Sequence, residues 1–135
     1  MVTKLFCCTC DDMVFVRLTN GKEIYPHSSK LFELPFYKCD KCKNYVGCHH
    51  KTKDRTRPLG CIPSKEIKVA RQYIHKIVDP LWQKHPQKYR ARGWIYRWLS
   101  SQLGYQYHTA EIKSIKEARK IYALVLTIQN AEDCK

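Results

Sequence analysis

Two cysteine pairs decide the fold of this chain: Cys7-Cys8-Thr9-Cys10 and Cys39-Asp40-Lys41-Cys42, with 28 residues between them. In each pair two residues separate the outer cysteines, and this spacing lets both sulfurs reach one metal ion. Zinc takes four such ligands in a tetrahedron, and two pairs of this spacing rarely arise by chance. The sequence therefore predicts one structural Zn²⁺ bound by Cys7, Cys10, Cys39 and Cys42.

The composition is typical of a globular protein that carries an unusually high positive charge. The 135 residues include 25 Lys and Arg against 12 Asp and Glu, a formal net charge of +13, and eight cysteines. The hydrophobic fraction of 44% excludes a disordered chain. No apolar run approaches the ~20 residues of a membrane span, and no secretory signal pattern opens the chain. We therefore expect a cytoplasmic protein without a membrane partner, because paired cysteines in a reducing compartment bind metal more often than they form disulfides.

The predicted secondary structure changes from strands to helices near the middle of the chain. Short strands are predicted at 13–18, 34–38 and 45–46, with Asn20-Gly21 as a hairpin turn and 23–25 as the returning strand. Helical spacing of apolar residues predicts a helix from Ser64, which Pro80 either kinks or ends, unless Pro80 starts a new turn capped by Asp79. A second helix is predicted over about 88–103 with Gly104 as its stop, and a third after Ser114. The predicted fold class is α+β: an N-terminal four-cysteine zinc ribbon of short antiparallel strands (residues 1–63), packed on a C-terminal bundle of about three helices (residues 64–135).

Several cysteines and histidines remain outside the predicted zinc site. They include Cys8, Cys48, Cys61 and Cys134, together with His27, His49 and His50. Three interpretations of the histidine-rich segment stay open: a solvated loop, a phosphate-binding surface, or a second metal site or general base of a nuclease-like enzyme. Asp40 and Asp54 are the only local acids, so no carboxylate pair supports a two-metal nuclease. An enzyme is therefore the least favoured function.

Basic residues concentrate in the loop after the second cysteine pair and on the first two predicted helices. Cations attract phosphates and aromatic rings stack on bases, so this mixture favours nucleic acid, DNA or RNA, over a merely solvated surface. An acidic surface on a host protein would attract the same charges, so binding and inhibition of a host enzyme or defence complex is the alternative. The residues predicted to contact nucleic acid or a partner are His27, His49, Lys51, Lys53, Arg55, Arg57, Lys68, Arg71, Arg90, Arg92, Trp94 and Arg97.

The order of several short motifs also resembles a known family. Gly21-Lys22-Glu23-Ile24-Tyr25-Pro26-His27 lies between the cysteine pairs, and Tyr45-Val46-Gly47-Cys48-His49, Pro58-Leu59-Gly60 and Asp79-Pro80-Leu81-Trp82 follow. Over roughly residues 7–125 the chain resembles a "zinc-finger-containing domain" family of unknown function that is found in bacteriophages and prophages. The resemblance supports zinc on the four cysteines. It implies a phage accessory protein in the host cytoplasm, and it assigns no reaction.

Overall fold

Two small antiparallel sheets occupy the first half of the computed structural model, which describes residues 2–133. The strands are β1 (Lys4–Cys7), β2 (Asp12–Phe15), β3 (Arg17–Asn20), β4 (Pro35–Lys38) and β5 (Tyr45–Gly47). β1 pairs with β2, and β3, β4 and β5 form the second sheet in that order. One cysteine pair lies at the turn between β1 and β2, and the other lies between β4 and β5. Two hairpin turns thus present the four predicted ligands.

The connection between the two sheets differs from the prediction. The segment predicted as one strand over 13–18 is two strands in different sheets, divided at Val16, whose N–H donates to the Thr3 carbonyl (2.9 Å). Asn20-Gly21 makes no hairpin turn, because the Asn20 side chain accepts hydrogen bonds from the backbone N–H groups of Lys22 (3.1 Å) and Glu23 (3.3 Å). Asn20 is therefore the N-cap of a short helix, α1 (Gly21–Ile24), where a returning strand was predicted.

Gly21 is required by this connection. A Cβ at Gly21 would lie 1.7 Å from the Leu31 carbonyl oxygen, far inside van der Waals contact. Every larger residue would force the backbone around Leu31 to move. The missing side chain of Gly21 thus allows close backbone packing here and does not serve a positive φ angle.

An ion-pair network joins β3, α1 and β4. The Arg17 guanidinium donates two hydrogen bonds to the Glu23 carboxylate (both 2.8 Å) and binds Asp40 (2.9 and 3.0 Å), and Lys38 binds Glu23 (2.8 Å). The Arg17, Lys38 and Thr19 donors hold the pKa of Glu23 far below its usual range. The hydrogen bonds from Arg17 lower the pKa of Asp40 as well.

Three long helices make up the second half: α2 (Lys65–Gln83), α3 (Lys88–Leu103) and α4 (Ile115–Asp133). The chain divides into two compact units, one ending at Lys65 and the other beginning at Glu66, which we call the zinc unit and the helical unit. Both the α+β class and the four-cysteine ribbon are thus confirmed. The core of the helical unit is formed by Ile74, Val78, Ile95, Leu99, Leu103, Tyr107, Ile112, Ala118, Ile121, Val125 and Ile128.

The helix ends follow local rules, with one exception. α3 has its predicted bounds, and Gly104 ends it in the left-handed conformation (φ 83°). The Ser114 hydroxyl accepts a hydrogen bond from the Glu117 N–H (3.1 Å) at the start of α4. Pro80, however, does not end α2, which continues to Gln83. Val78 is fully buried next to it, so core packing outweighs the hydrogen bond that proline cannot donate.

Arg71, which was predicted to contact nucleic acid or a partner, does not face solvent. Its side chain is buried, and Nε and Nη2 both donate to the Ile112 carbonyl, at 3.1 and 2.7 Å. A buried guanidinium needs such acceptors, since burial without them costs several kcal/mol. Trp82 and Trp98 are half-buried side chains that pack against the core.

Candidate metal centre

The four predicted cysteine ligands come together in the zinc unit. The sulfur–sulfur distances are 3.4 Å for Cys7–Cys42 and 3.8 Å for Cys10–Cys39, and all four sulfurs lie within 4.8 Å of one another. A zinc ion bound to four sulfurs at ~2.3 Å sets neighbouring sulfurs about 3.8 Å apart. The four thiols are therefore arranged as a tetrahedral zinc site requires.

Both cysteine pairs adopt the same backbone conformation. The N–H of Asp11 donates to the Cys7 carbonyl (2.7 Å), and the N–H of Lys43 donates to the Cys39 carbonyl (2.8 Å). Asp11 and Lys43 occupy equivalent positions, four residues after the first cysteine of each pair, and both have positive φ angles, 54° and 68°. This repeated turn directs the two sulfurs of each pair to one point.

The thiols differ in the ease with which they lose a proton. Burial raises the pKa of Cys7, Cys10 and Cys42. Burial acts in the same direction on Cys39, but its pKa is lowered, because backbone N–H groups of Cys42 and Lys41 and neighbouring thiols donate to its sulfur. Zinc would bind all four as thiolates, so its binding releases protons and weakens as the pH falls.

A short segment at the end of the zinc unit closes over the first cysteine pair. The Ile62 N–H donates to the Phe6 carbonyl (2.9 Å), and the Cys8 N–H donates to the Ile62 carbonyl (2.9 Å). Ile62 is fully buried. This pairing brings the sulfurs of Cys8 and Cys61 to 4.0 Å, a contact that the 53-residue separation of the two cysteines does not reveal.

The remaining cysteines stay outside the four-sulfur cluster. Cys48 is buried in the core of the zinc unit together with Cys7 and Cys39, and burial raises the pKa of its thiol to about 11. Among the described residues, only Cys7, Cys10, Cys39 and Cys42 bring together three or more ligand atoms of His, Cys, Asp or Glu. His27, Cys48, His49 and His50 therefore do not converge into such a group in the described part of the chain. Cys134 lies outside the described residues.

The segment 51–57, which we call the basic loop, is held firmly although its charges are exposed. The His49 N–H donates to the Arg57 carbonyl (2.8 Å), and the fully buried Tyr37 donates its hydroxyl proton to the Thr56 carbonyl (2.7 Å). In the part of the chain that the structure describes, the side chains of the basic loop's Lys51, Lys53, Arg55 and Arg57 form no ion pair. His27 is exposed, and His49 is half-buried beside the loop.

The predicted binding residues of the helical unit separate into two groups. Arg90, Trp94 and Arg97 follow one another at i, i+4 and i+7, so they share one exposed face of α3, and the indole is 55% exposed. Arg92 instead stacks on Tyr96 (4.2 Å to the ring centroid) and lies 5.7 Å from the Trp82 ring. Arg71 is buried, so its guanidinium is not on the exposed surface, and Lys68 is half-buried.

None of the helices in the described residues combines the length and apolarity needed to cross a membrane.

Comparison with known proteins agrees with the metal centre. No curated protein and no solved structure matches the chain. A family model described as a zinc-finger-containing domain matches residues 3–130 and so includes all four clustered cysteines. Because that match spans nearly the whole chain, this protein belongs to the family of zinc-finger-containing domains, and it is a zinc-binding protein.

Proposed function

We propose that this chain is a phage-type accessory protein that binds nucleic acid through basic surfaces, and that its one zinc ion is structural. The observation behind it is the α3 face, on which an exposed indole lies between two exposed guanidinium groups, Arg90 and Arg97. Guanidinium groups bind phosphates, and an indole stacks on a base of any sequence. The phage setting rests on the family resemblance alone.

The basic loop supports the same function in the zinc unit. Its four cations have no acidic partner among the described residues, whereas Arg17 and Lys38 of the same unit are paired with Glu23 and Asp40. Cations that are neither paired nor buried are available to phosphates, and releasing counterions from the nucleic acid then favours binding. The zinc ion acts on the basic loop only indirectly, since the loop is anchored to the core of the zinc unit through Tyr37.

Binding of single- and double-stranded DNA and RNA across salt concentrations tests the proposal. Each phosphate contact contributes about 0.7–0.9 to the slope of log K against log salt. Replacing Lys51, Lys53, Arg55 and Arg57 by glutamine is therefore expected to reduce the slope by about 3. The matched control replaces four exposed cations of the helical unit outside the proposed surface, namely Lys113, Lys116, Arg119 and Lys120.

Two results would contradict the proposal. One is the absence of binding at low salt, and the other is an equal loss of slope in both four-residue variants, which would show that only the total charge matters.

Binding to a host protein is the second candidate, and one observation favours it. A strongly apolar groove of ≈ 410 Å³ lies between α2 and α4, where Val69 (65%) and Tyr73 (52%) are exposed. Exposed apolar patches of this kind often mark protein interfaces. A partner that is retained after nuclease treatment, and lost when Val69 is replaced by aspartate, would support this function.

A further inference from the structure

A cavity of ≈ 260 Å³ opens beside the exposed indole of Trp94. Its apolar lining comes from Leu81 of α2, Ile95 of α3 and Ile128 of α4. His85, from the α2–α3 connection, and Arg90 also line it. Drug-sized ligands fill cavities of about 300–1,000 Å³, so this one suits a smaller group.

The polar groups of the cavity are held in place by one residue, Gln87. Its backbone N–H donates to Nδ1 of His85 (3.0 Å), so the neutral imidazole carries its proton on Nε2 and can donate it. Arg90 donates from Nη1 to the Gln87 side-chain oxygen (3.2 Å), which leaves its other N–H groups as donors. The cavity therefore combines apolar walls, an indole face, an imidazole donor and a positive charge.

These features together suit a flat aromatic ring that carries hydrogen-bond acceptors and is linked to an anion. A nucleobase with its phosphate has this chemistry, whereas an aromatic amino-acid side chain lacks the anion. A base inside a duplex is stacked and paired, so it reaches such a cavity only from a single strand or after extrusion. Exposed bases of single strands are commonly bound by stacking on an aromatic side chain.

We propose that this cavity binds one unpaired base of a single-stranded nucleic acid, with Trp94 stacking on the base and Arg90 binding the adjacent phosphate. The inference rests on the proposed function and deepens it, because it gives the helical unit a preference for single strands over duplexes.

The test compares three probes on the zinc-loaded full chain: a 12-nucleotide single strand, an abasic oligomer of the same length, and the duplex. The wild-type protein is expected to bind the base-bearing strand most tightly. Trp94→Ala is expected to weaken that binding about 5- to 150-fold, to the level of the abasic oligomer, because stacking contributes that much per base. Trp94→Phe retains a stacking ring and is expected to restore most of the affinity.

Two further variants guard against misfolding and nonspecific effects. Ala91→Leu extends a side chain into the cavity without removing the indole, and it is expected to reproduce the loss. Tyr105→Ala removes an aromatic side chain of similar exposure, 47% against 55% for Trp94, that does not line the cavity, and it is expected to change nothing.

Each alternative result has a distinct meaning. Equal, salt-dependent binding of the abasic and base-bearing strands by the wild type would overturn the base site and leave the proposed function standing. An equal loss on all three probes in Trp94→Ala would also overturn the base site. Failure to bind any probe at low salt would overturn both proposals.

Discussion

Cys39 and Cys48 lie in one buried cluster of the zinc unit, 1% and 4% exposed, but only Cys39 belongs to the four-sulfur group. The same substitution at both positions therefore separates metal binding from packing. Cys39→Ala removes one of four zinc ligands, whereas Cys48→Ala removes a buried thiol that binds no metal.

The apolar core of the zinc unit is so small that the metal contributes about as much to its stability as apolar burial does. Apart from cysteines, its buried hydrophobic residues are Val14, Phe36, Tyr37, Val46 and Ile62. At about 1.5–3 kcal/mol each, their burial contributes roughly 8–15 kcal/mol. A structural zinc ion contributes a similar amount, about 10–16 kcal/mol in small metal-binding domains. We therefore expect Cys39→Ala to unfold the zinc unit, and Cys48→Ala to cost about 0.5–1.5 kcal/mol, as for one methyl-sized group.

Elemental analysis and spectroscopy of the full chain check both expectations. All three tryptophans lie in the helical unit, so their fluorescence reports that unit, while circular dichroism also reports the zinc unit. The wild type and Cys48→Ala should hold one zinc per chain. Cys39→Ala should hold none and should lose dichroism while keeping its tryptophan spectrum. Zinc retained by Cys39→Ala at wild-type stability, or lost equally by both variants, would refute the reasoning.

Three further substitutions probe single contacts. Arg71→Met removes both hydrogen bonds to Ile112 and should lower the free energy of unfolding, measured in urea, by about 1.5–3 kcal/mol. The salt slope of nucleic-acid binding should not change, and a reduced slope would place Arg71 on the binding surface. Gly93→Ala should raise stability by about 0.5–1 kcal/mol, since only the flexible end of an arginine lies near its new Cβ. Gly104→Ala should lower stability by about 1–2 kcal/mol, because Gly104 has a φ angle of 83°. Equal effects of the two substitutions would contradict this difference in backbone conformation. Glu23→Gln should lower the melting temperature at neutral pH. Because the folded-state pKa of Glu23 is far below its unfolded value, the difference from wild type should shrink progressively as the pH falls below the ordinary carboxylate range. A difference that stays constant there would contradict the ion-pair account.

Local sequence patterns correctly predicted the four clustered cysteines and the bounds of α3, because metal binding and helix capping depend on residues that are close together in the chain. Both sulfurs of a cysteine pair reach one ion because only two residues separate them, so the ligand set needed no tertiary information. α3 was predicted with its bounds because Gly104 ends it locally. Asn20-Gly21 was misread because the same two residues suit a hairpin turn and a helix start, and the choice depended on the fit of Gly21 against Leu31.

The sequence by itself therefore determined the zinc site, the α+β class and the excess of positive charge. The tertiary structure alone decided which cations are available to a partner. Arg71 has the charge and helical setting of Arg97, but it is buried against a carbonyl 41 residues away, whereas Arg97 is exposed beside Trp94. Burial and pairing depend on contacts between distant residues, and neither composition nor spacing records those contacts.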